Sequence, residues 1–186
     1  MDLDLPSGTK WMKYNLGSNS ETDYGQLYSF GSISPSPARV DSLNSDMVFI
    51  NEDGDNQLKT DYDAIYQKTE GQAILPNSSE IEELINETNK LFIENYNGSG
   101  VNVIKISSKE DDSKYIIIPL KLNSPELRYG IGLWSGIAYR RLSADVAGAI
   151  EIEGEYIGYN LSSDTSPWIG EYYPLRGVMV PPPIFP

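Results

Sequence analysis

The chain of 186 residues contains no cysteine and no histidine. These absences exclude disulfides, thiol nucleophiles, zinc sites built from Cys and His, imidazole bases and the Ser-His-Asp triad. A glycosidase would need two carboxylates flanking one bond, and Glu151 and Glu153 share one face of a predicted strand. Such pairs are usually the solvent side of a strand, so we expect no enzyme. We also expect no cofactor, and we assign no residue as a metal ligand.

Basic residues are scarce. The sequence has 14 Lys and Arg against 27 Asp and Glu, a net charge of −13. A surface of this charge repels phosphate backbones and anionic lipid, which argues against a nucleic-acid partner. The sequence also lacks an apolar run long enough to span a bilayer, so we expect no membrane insertion. Its first residues are acidic and polar, without the basic and apolar regions of a signal peptide.

The length and the hydrophobic content of 39% are typical of one globular domain with a substantial core. We expect this domain to cover residues 1–180 and a proline-rich tail to cover residues 181–186. Proline cannot donate to a hydrogen-bond ladder, so the tail should be polyproline-like. Because the tail ends on Ile184 and Phe185 before the last proline, we expect it to dock on the domain itself or on a partner.

The main helix is predicted by a capping signal. Asn77 follows Leu75 and Pro76, and Glu80 stands three positions later, as in a capping box. Apolar side chains then recur at helical spacing, at Ile81, Leu84, Ile85, Thr88, Leu91 and Phe92. The pattern predicts a helix over 77–93.

Several segments have strand patterns. Residues 101–107 and 115–120 predict a hairpin, and the continuous apolar run at 115–118 predicts a strand that is central in its sheet. Residues 47–50 predict a short strand. The alternation over 147–157 predicts one antiparallel strand with one solvent-exposed face. The segment 1–11 predicts two short strands, because Leu3, Leu5 and Trp11 flank the turn signal Pro6-Ser7-Gly8.

The opening DLDLPSGTKW, followed by YNLG, DYGQLYSFG and ILPNSSEIEELI, resembles the module called the Fibrobacter succinogenes major paralogous domain. The match runs in order over nearly the whole chain. That module is similar to C-type-lectin-like domains, so the resemblance implies an α+β fold with small antiparallel sheets, one main helix and long loops. It also implies that the last strand returns beside the first. The chain departs from the family at Ile81, where a tryptophan is usual, and at Met179, where an arginine is expected.

The best candidate site lies in residues 142–175, which contain no Lys or Arg but several carboxylates and aromatic side chains. Carboxylates and aromatic rings can bind sugars, through hydrogen bonds to the hydroxyls and stacking on the rings. Carboxylates can also bind a hard cation, and aromatic side chains can anchor a protein interface. The resemblance points to the same region, since ligand loops of lectin-like folds lie there, although the calcium signatures of sugar-binding C-type lectins are absent. Glycan contact, a protein interface and simple packing all stay open for the candidate residues Tyr159, Asp164, Trp168, Tyr172 and Tyr173.

Modules of this family are normally exported, yet this sequence starts directly at the module. Phage particles leave by lysis, so a virion protein reconciles an extracellular-type fold with assembly in the host cytoplasm. We therefore expect a head-fibre, decoration or tail-adhesin subunit at the virion surface. It would bind other virion proteins, form a homo-oligomer (a trimer by analogy with phage fibres) and contact host surface glycans. The alternative is a secreted or surface-anchored bacterial module that binds carbohydrate or protein.

Overall fold

The computed structural model describes residues 1–35, 45–50, 56–120, 122–123, 128–129, 133–140, 145–153, 156–160 and 173–181. This part of the chain has an α+β architecture of two short helices and small antiparallel sheets. The helices are α1, Ala64–Lys68, and α2, Ser78–Asn86. Short 3-10 turns cover Ser45–Met47, Thr60–Tyr62 and Tyr96–Gly98. The strands are β1 Leu27–Tyr28, β2 Val48–Ile50, β3 Asn56–Leu58, β4 Ala73–Ile74, β5 Thr88–Ile93, β6 Asn102–Ser108, β7 Tyr115–Leu120, β8 Leu122–Asn123, β9 Arg128–Tyr129, β10 Leu133–Arg140, β11 Asp145–Glu153, β12 Tyr156–Asn160, β13 Tyr173–Pro174 and β14 Val178–Met179.

The strands form two larger sheets and three pairs. The five-stranded sheet has the order β12-β11-β10-β3-β2, and the three-stranded sheet has the order β5-β6-β7. The pairs are β1 with β13, β4 with β14, and β8 with β9. Helix α2 lies against β10 and β12 of the five-stranded sheet. The helix therefore stands beside the sheet that carries β2 and β3.

The opening segment turns back on itself where the sequence predicts a turn, and we call it the opening ribbon, but the two short strands expected over 1–11 are reduced to one isolated antiparallel bridge. Asp2 pairs with Lys10, and the N–H of Gly8 donates to the carbonyl of Leu5 at 2.8 Å. Gly8 adopts a φ of 76°, a conformation that glycine reaches without steric cost. Leu3 and Leu5 are buried, so the ribbon packs its apolar side chains into the core.

The closing strand β14 lies beside this ribbon, as expected. Val178 forms a bridge with Trp11 on one side and pairs with Ile74 of β4 on the other. The N–H of Leu16 donates to the carbonyl of Leu175 at 2.8 Å. The first and last described segments are thus joined by backbone hydrogen bonds.

The capping box of α2 is confirmed, but the predicted extent of the helix over 77–93 is wrong. Asn77 Oδ1 accepts from the N–H of Glu80 at 2.8 Å, and the N–H of Asn77 donates to Glu80 Oε2 at 2.8 Å. The helix ends at Asn86, and Thr88–Ile93 pair with β6 as strand β5. The apolar residues after Asn86 continue the helical spacing, but they do not form one buried face, because Leu91 is 58% exposed. Cross-strand pairing determines the structure of this segment.

The hairpin of β6 and β7 is confirmed, with Ile104 opposite Ile118. The prediction that residues 115–118 form the central strand is wrong, because β6 is central and β7 ends the described sheet. Ile116, Ile117 and Ile118 are nevertheless all buried. Burial of both faces of a strand does not require a neighbouring strand on each edge.

Two further strand predictions need correction. The single strand expected over 147–157 is a hairpin of β11 and β12 in which Glu153 pairs with Tyr156. The two residues between the paired positions 153 and 156 lie outside the described residues. The strand expected at 47–50 starts one residue later, because Met47 belongs to a 3-10 turn.

The buried side chains of the described residues form two clusters. The first joins the opening ribbon, α2 and the β6–β7 hairpin: Leu3, Leu5, Trp11, Ile81, Leu84, Ile104, Ile106, Ile116, Ile118, Leu120 and Val178. The second contains Leu16, Tyr28, Phe30, Met47, Leu58, Ala64, Ile65, Ala73, Leu75 and Leu175. Within the described residues, no helix has the length and apolar character that crossing a bilayer requires.

Candidate functional site

The residues proposed from the sequence are only partly described. Asp164, Trp168, Tyr172 and the tail residues Ile184 and Phe185 lie outside the described residues. Tyr159 lies on β12 opposite Ile150, and Tyr173 lies on β13 opposite Tyr28. These two strands belong to different sheets, so strand pairing does not join the two tyrosines.

A cavity of about 200 Å³ lies where β2, β3, β4, the turn at 60–62 and the start of α2 converge. We call it the Gln57 cavity. Sequence reasoning missed it, because its residues come from three separate stretches of the chain, at 49, 57–63 and 74–80. They are Phe49, Gln57, Leu58, Thr60, Asp63, Ile74, Leu75, Asn77 and Glu80.

Asp63 lines the cavity, and its carboxyl group accepts three backbone hydrogen bonds that hold the surrounding segments together. Its Oδ1 accepts from the N–H groups of Ile65 at 2.8 Å and Tyr66 at 3.2 Å, which caps α1. Its Oδ2 accepts from the N–H of Leu75 at 2.7 Å and holds β4 against the cap. Burial raises the pKa of Asp63, while the three N–H donors act in the opposite direction. Both oxygens are occupied, so this carboxyl group maintains the wall and is not arranged as a general base.

Gln57, which lines the cavity, supplies a buried acceptor without a partner in the part of the chain that the structure describes. The residue is 9% exposed, and its Oε1 has no hydrogen-bond partner among the described residues. Leaving a buried acceptor unsatisfied costs about 1–3 kcal/mol. A ligand or a water that donates a hydrogen bond to this oxygen would recover that free energy.

The N-terminus of α2 presents a carboxylate to the cavity. The capping box uses Asn77 Oδ1 for the N–H of Glu80, and Glu80 Oε2 for the N–H of Asn77. Among the nine described lining residues, Asp63 and Glu80 are acidic and none is Lys or Arg. The formal charge of the described lining is therefore negative, although the N-termini of α1 and α2 place partial positive charge beside these two carboxylates.

The remaining lining is largely apolar. Leu58 and Leu75 are buried, Ile74 is half-buried, and Phe49 is 48% exposed at the mouth. Ile50, the next residue of β2, is 73% exposed. Phe49 and Ile50 are neighbours on β2, so their side chains point to opposite faces of the sheet, and only Phe49 lines the cavity.

A second feature that the sequence reasoning missed is the buried cation Arg176. Its Nε donates to Asn15 Oδ1 at 2.8 Å, and both residues are 1% exposed. Burial lowers the pKa of Arg176 to about 9, and the negative charge of Glu21 opposes this shift. The sequence does contain a signal for this site, because Arg176 lies within the otherwise apolar run from Leu175 to Val180. A charged residue in such a run is buried only when it has a partner.

Metal binding has no support from the described residues, because no group of three or more Asp and Glu side chains is arranged to hold an ion there. The chemistry available in the Gln57 cavity is recognition by acceptor oxygens and apolar contact. In comparisons with known proteins, the chain matches no family model, no curated protein and no solved structure. The resemblance of its opening motif thus rests on the sequence alone.

Proposed function

We propose that this chain is a non-enzymatic binding protein with a C-type-lectin-like fold, acting as a head-fibre, decoration or tail-adhesin subunit of a phage virion. In that role it binds other virion proteins at the virion surface, as a homo-oligomer taken to be a trimer by analogy with phage fibres. Host surface glycans are its second class of ligand.

The observation that carries the binding role is the chemistry of the Gln57 cavity. It combines an apolar wall, an exposed aromatic ring at Phe49 and the buried acceptor Gln57 Oε1, which is unpaired within the described residues. Concave sites of this kind, with few polar groups, are typical of ligand recognition. The buried carboxyl group of Asp63 is held by three N–H donors, which favours recognition over turnover.

The lectin-like part of the proposal is supported by the pairing of the segments around Trp11 and Val178. The resemblance implies this return of the last strand beside the first. Support for virion proteins as partners comes from the same resemblance, because related modules occur in phage receptor-binding proteins. The net charge of −13 favours protein or glycan partners over nucleic acid.

The virion assignment is tested by fractionating a lysate that contains the native chain on a density gradient. Antibody against the chain and mass spectrometry then locate it. We expect it to sediment with intact particles and to be labelled at their surface. Sedimentation with bacterial envelopes would contradict the virion role and support the bacterial surface module.

The non-enzymatic assignment is tested separately with a glycan panel. We expect retention of particular glycans with no new products after long incubation. Appearance of shortened glycans, in proportion to protein concentration, would overturn the assignment as a binding protein.

A further inference from the structure

We infer that the Gln57 cavity binds an alkylammonium group, with the lysine side chain of a partner protein as its occupant. This inference rests on the proposed binding function, and it specifies the chemistry that the partner presents.

The charge of the cavity selects a cation. Asp63 and Glu80 contribute negative charge, and no lysine or arginine is among the described residues that line it. The chain as a whole carries −13, so the long-range field also attracts positive groups. Carboxylates and acidic sugars would be repelled from this position.

The hydrogen-bonding groups select a donor. Gln57 Oε1 is buried without a partner among the described residues, and it can only accept. An ammonium group carries three N–H donors and no acceptor, so it can donate to Gln57 Oε1 while the carboxylates of Asp63 and Glu80 attract its charge. A neutral sugar is a poorer match, because each hydroxyl would also bring acceptor lone pairs toward Glu80 and Asp63.

The apolar wall suits the stem of a lysine. Leu58, Ile74 and Leu75 can cover a chain of methylene groups while the charged end reaches the polar side. The half-exposed ring of Phe49 at the mouth adds a favourable face for a cation.

The size of the cavity limits its occupant. Its volume of about 200 Å³ lies below the roughly 300–1,000 Å³ that is usual for sites of larger ligands. It is therefore suited to one unbranched side chain and not to an oligosaccharide.

The test is an NMR titration of the ¹⁵N-labelled full chain with n-butylammonium chloride, beside 1-butanol as the neutral isostere. We expect saturable shifts of the amides of Gln57, Asn77 and Glu80 with the amine and none with the alcohol. Raising the salt concentration should weaken binding, because screening reduces the attraction between charges.

Two substitutions at one position make the assignment specific. Gln57→Leu should weaken amine binding about tenfold or more, the value of a hydrogen bond to a charged group. Gln57→Glu should strengthen binding, because it adds charge to the acceptor. Leu91→Ala, an exposed apolar residue of β5, is the matched control and should bind like the parent chain.

Several outcomes would overturn the inference. They are equal binding of amine and alcohol, unchanged affinity in Gln57→Leu with a parent-like melting temperature, and shifts of the same amides by neutral monosaccharides but not by amines. If amines fail to bind while the chain sediments with particles, only this inference falls. If amines bind but the chain is absent from particles, the virion role falls instead.

Discussion

Arg176 and Asn15 meet in the interior through a 2.8 Å hydrogen bond between positions 161 residues apart in the chain. Asn15 Nδ2 also donates to the carbonyl of Tyr24 at 3.0 Å, so the asparagine joins the buried cation to the opening segment. The backbone bond from Leu16 to Leu175 runs alongside. A side-chain contact and a backbone contact thus fasten the same two segments together.

Asn15→Leu should lower the free energy of unfolding by about 1.5–3 kcal/mol, because it removes the acceptor of a buried charged donor. Urea denaturation of the parent and variant measures the change. In an Arg176→Met background the same Asn15→Leu change should cost much less, since the buried charge is gone. Additive effects in the double variant would show that the hydrogen bond does not couple the two residues.

Glu83→Ala should destabilise the chain by about 1 kcal/mol, because Glu83 on α2 holds the opening turn. Its Oε1 accepts from the N–H of Ser7 at 2.7 Å, and its Oε2 accepts from Ser7 Oγ at 2.5 Å. Glu82→Ala, one position earlier and exposed, is the matched control and should melt close to the parent. Equal melting temperatures for the two variants would contradict a role for Glu83 in fixing the turn.

Lys114→Met should raise the pKa of Asp4. The side chain of Lys114 and the Ser108 hydroxyl both donate to Asp4 and hold its pKa below the ordinary value of 3.8. A depressed carboxyl pKa stabilises the fold above the unfolded pKa, and this contribution is lost as the pH falls through the folded value. Carboxyl ¹³C NMR across an acid titration measures the shift.

The control for this titration is Lys109→Met. Lys109 pairs with Glu87 at 2.9 Å, so its removal should leave the pKa of Asp4 unchanged. If both lysine variants shift Asp4 equally, the general loss of positive charge is responsible and the specific pair is not.

Gly177→Ala should destabilise the chain by about 1–3 kcal/mol through overpacking. A Cβ at this position would lie 2.6 Å from the carbonyl oxygen of Ile74 and 2.8 Å from Ile65 Cγ2. Gly98→Ala provides the comparison, because nothing lies within 4 Å of a Cβ there and only its φ of 73° opposes the change. Thermal melting should show the larger loss for Gly177→Ala, and the reverse order would contradict the close packing.

The parts of the fold that the sequence predicts are those fixed by neighbouring residues. The capping box at Asn77 and the turn after Leu5 depend on groups within three positions of each other, so their spacing is visible in the chain. The β6–β7 hairpin follows from two apolar runs around a polar connection. Local chemistry is sufficient for each of these elements.

The parts that the sequence does not predict depend on distant partners. Thr88–Ile93 keeps a helical spacing but is a strand, because β6 offers it a full ladder. The pairing of β3 with β10 joins residues far apart, with Gln57 opposite Ile137, and no turn signal marks it. The Gln57 cavity and the Asn15–Arg176 contact arise only from such long-range pairings, so their residues looked unrelated in the chain.

The position of Val178 between Trp11 and Ile74 also has a consequence for biosynthesis. While the ribosome is still making the closing segment, the nascent chain has an open edge beside Trp11 and another beside β4. Pairing between residues this far apart in sequence forms slowly. Until it forms, the closing strand of a second copy can occupy the same gap, so domain-swapped dimers are the expected misfolding product at high expression.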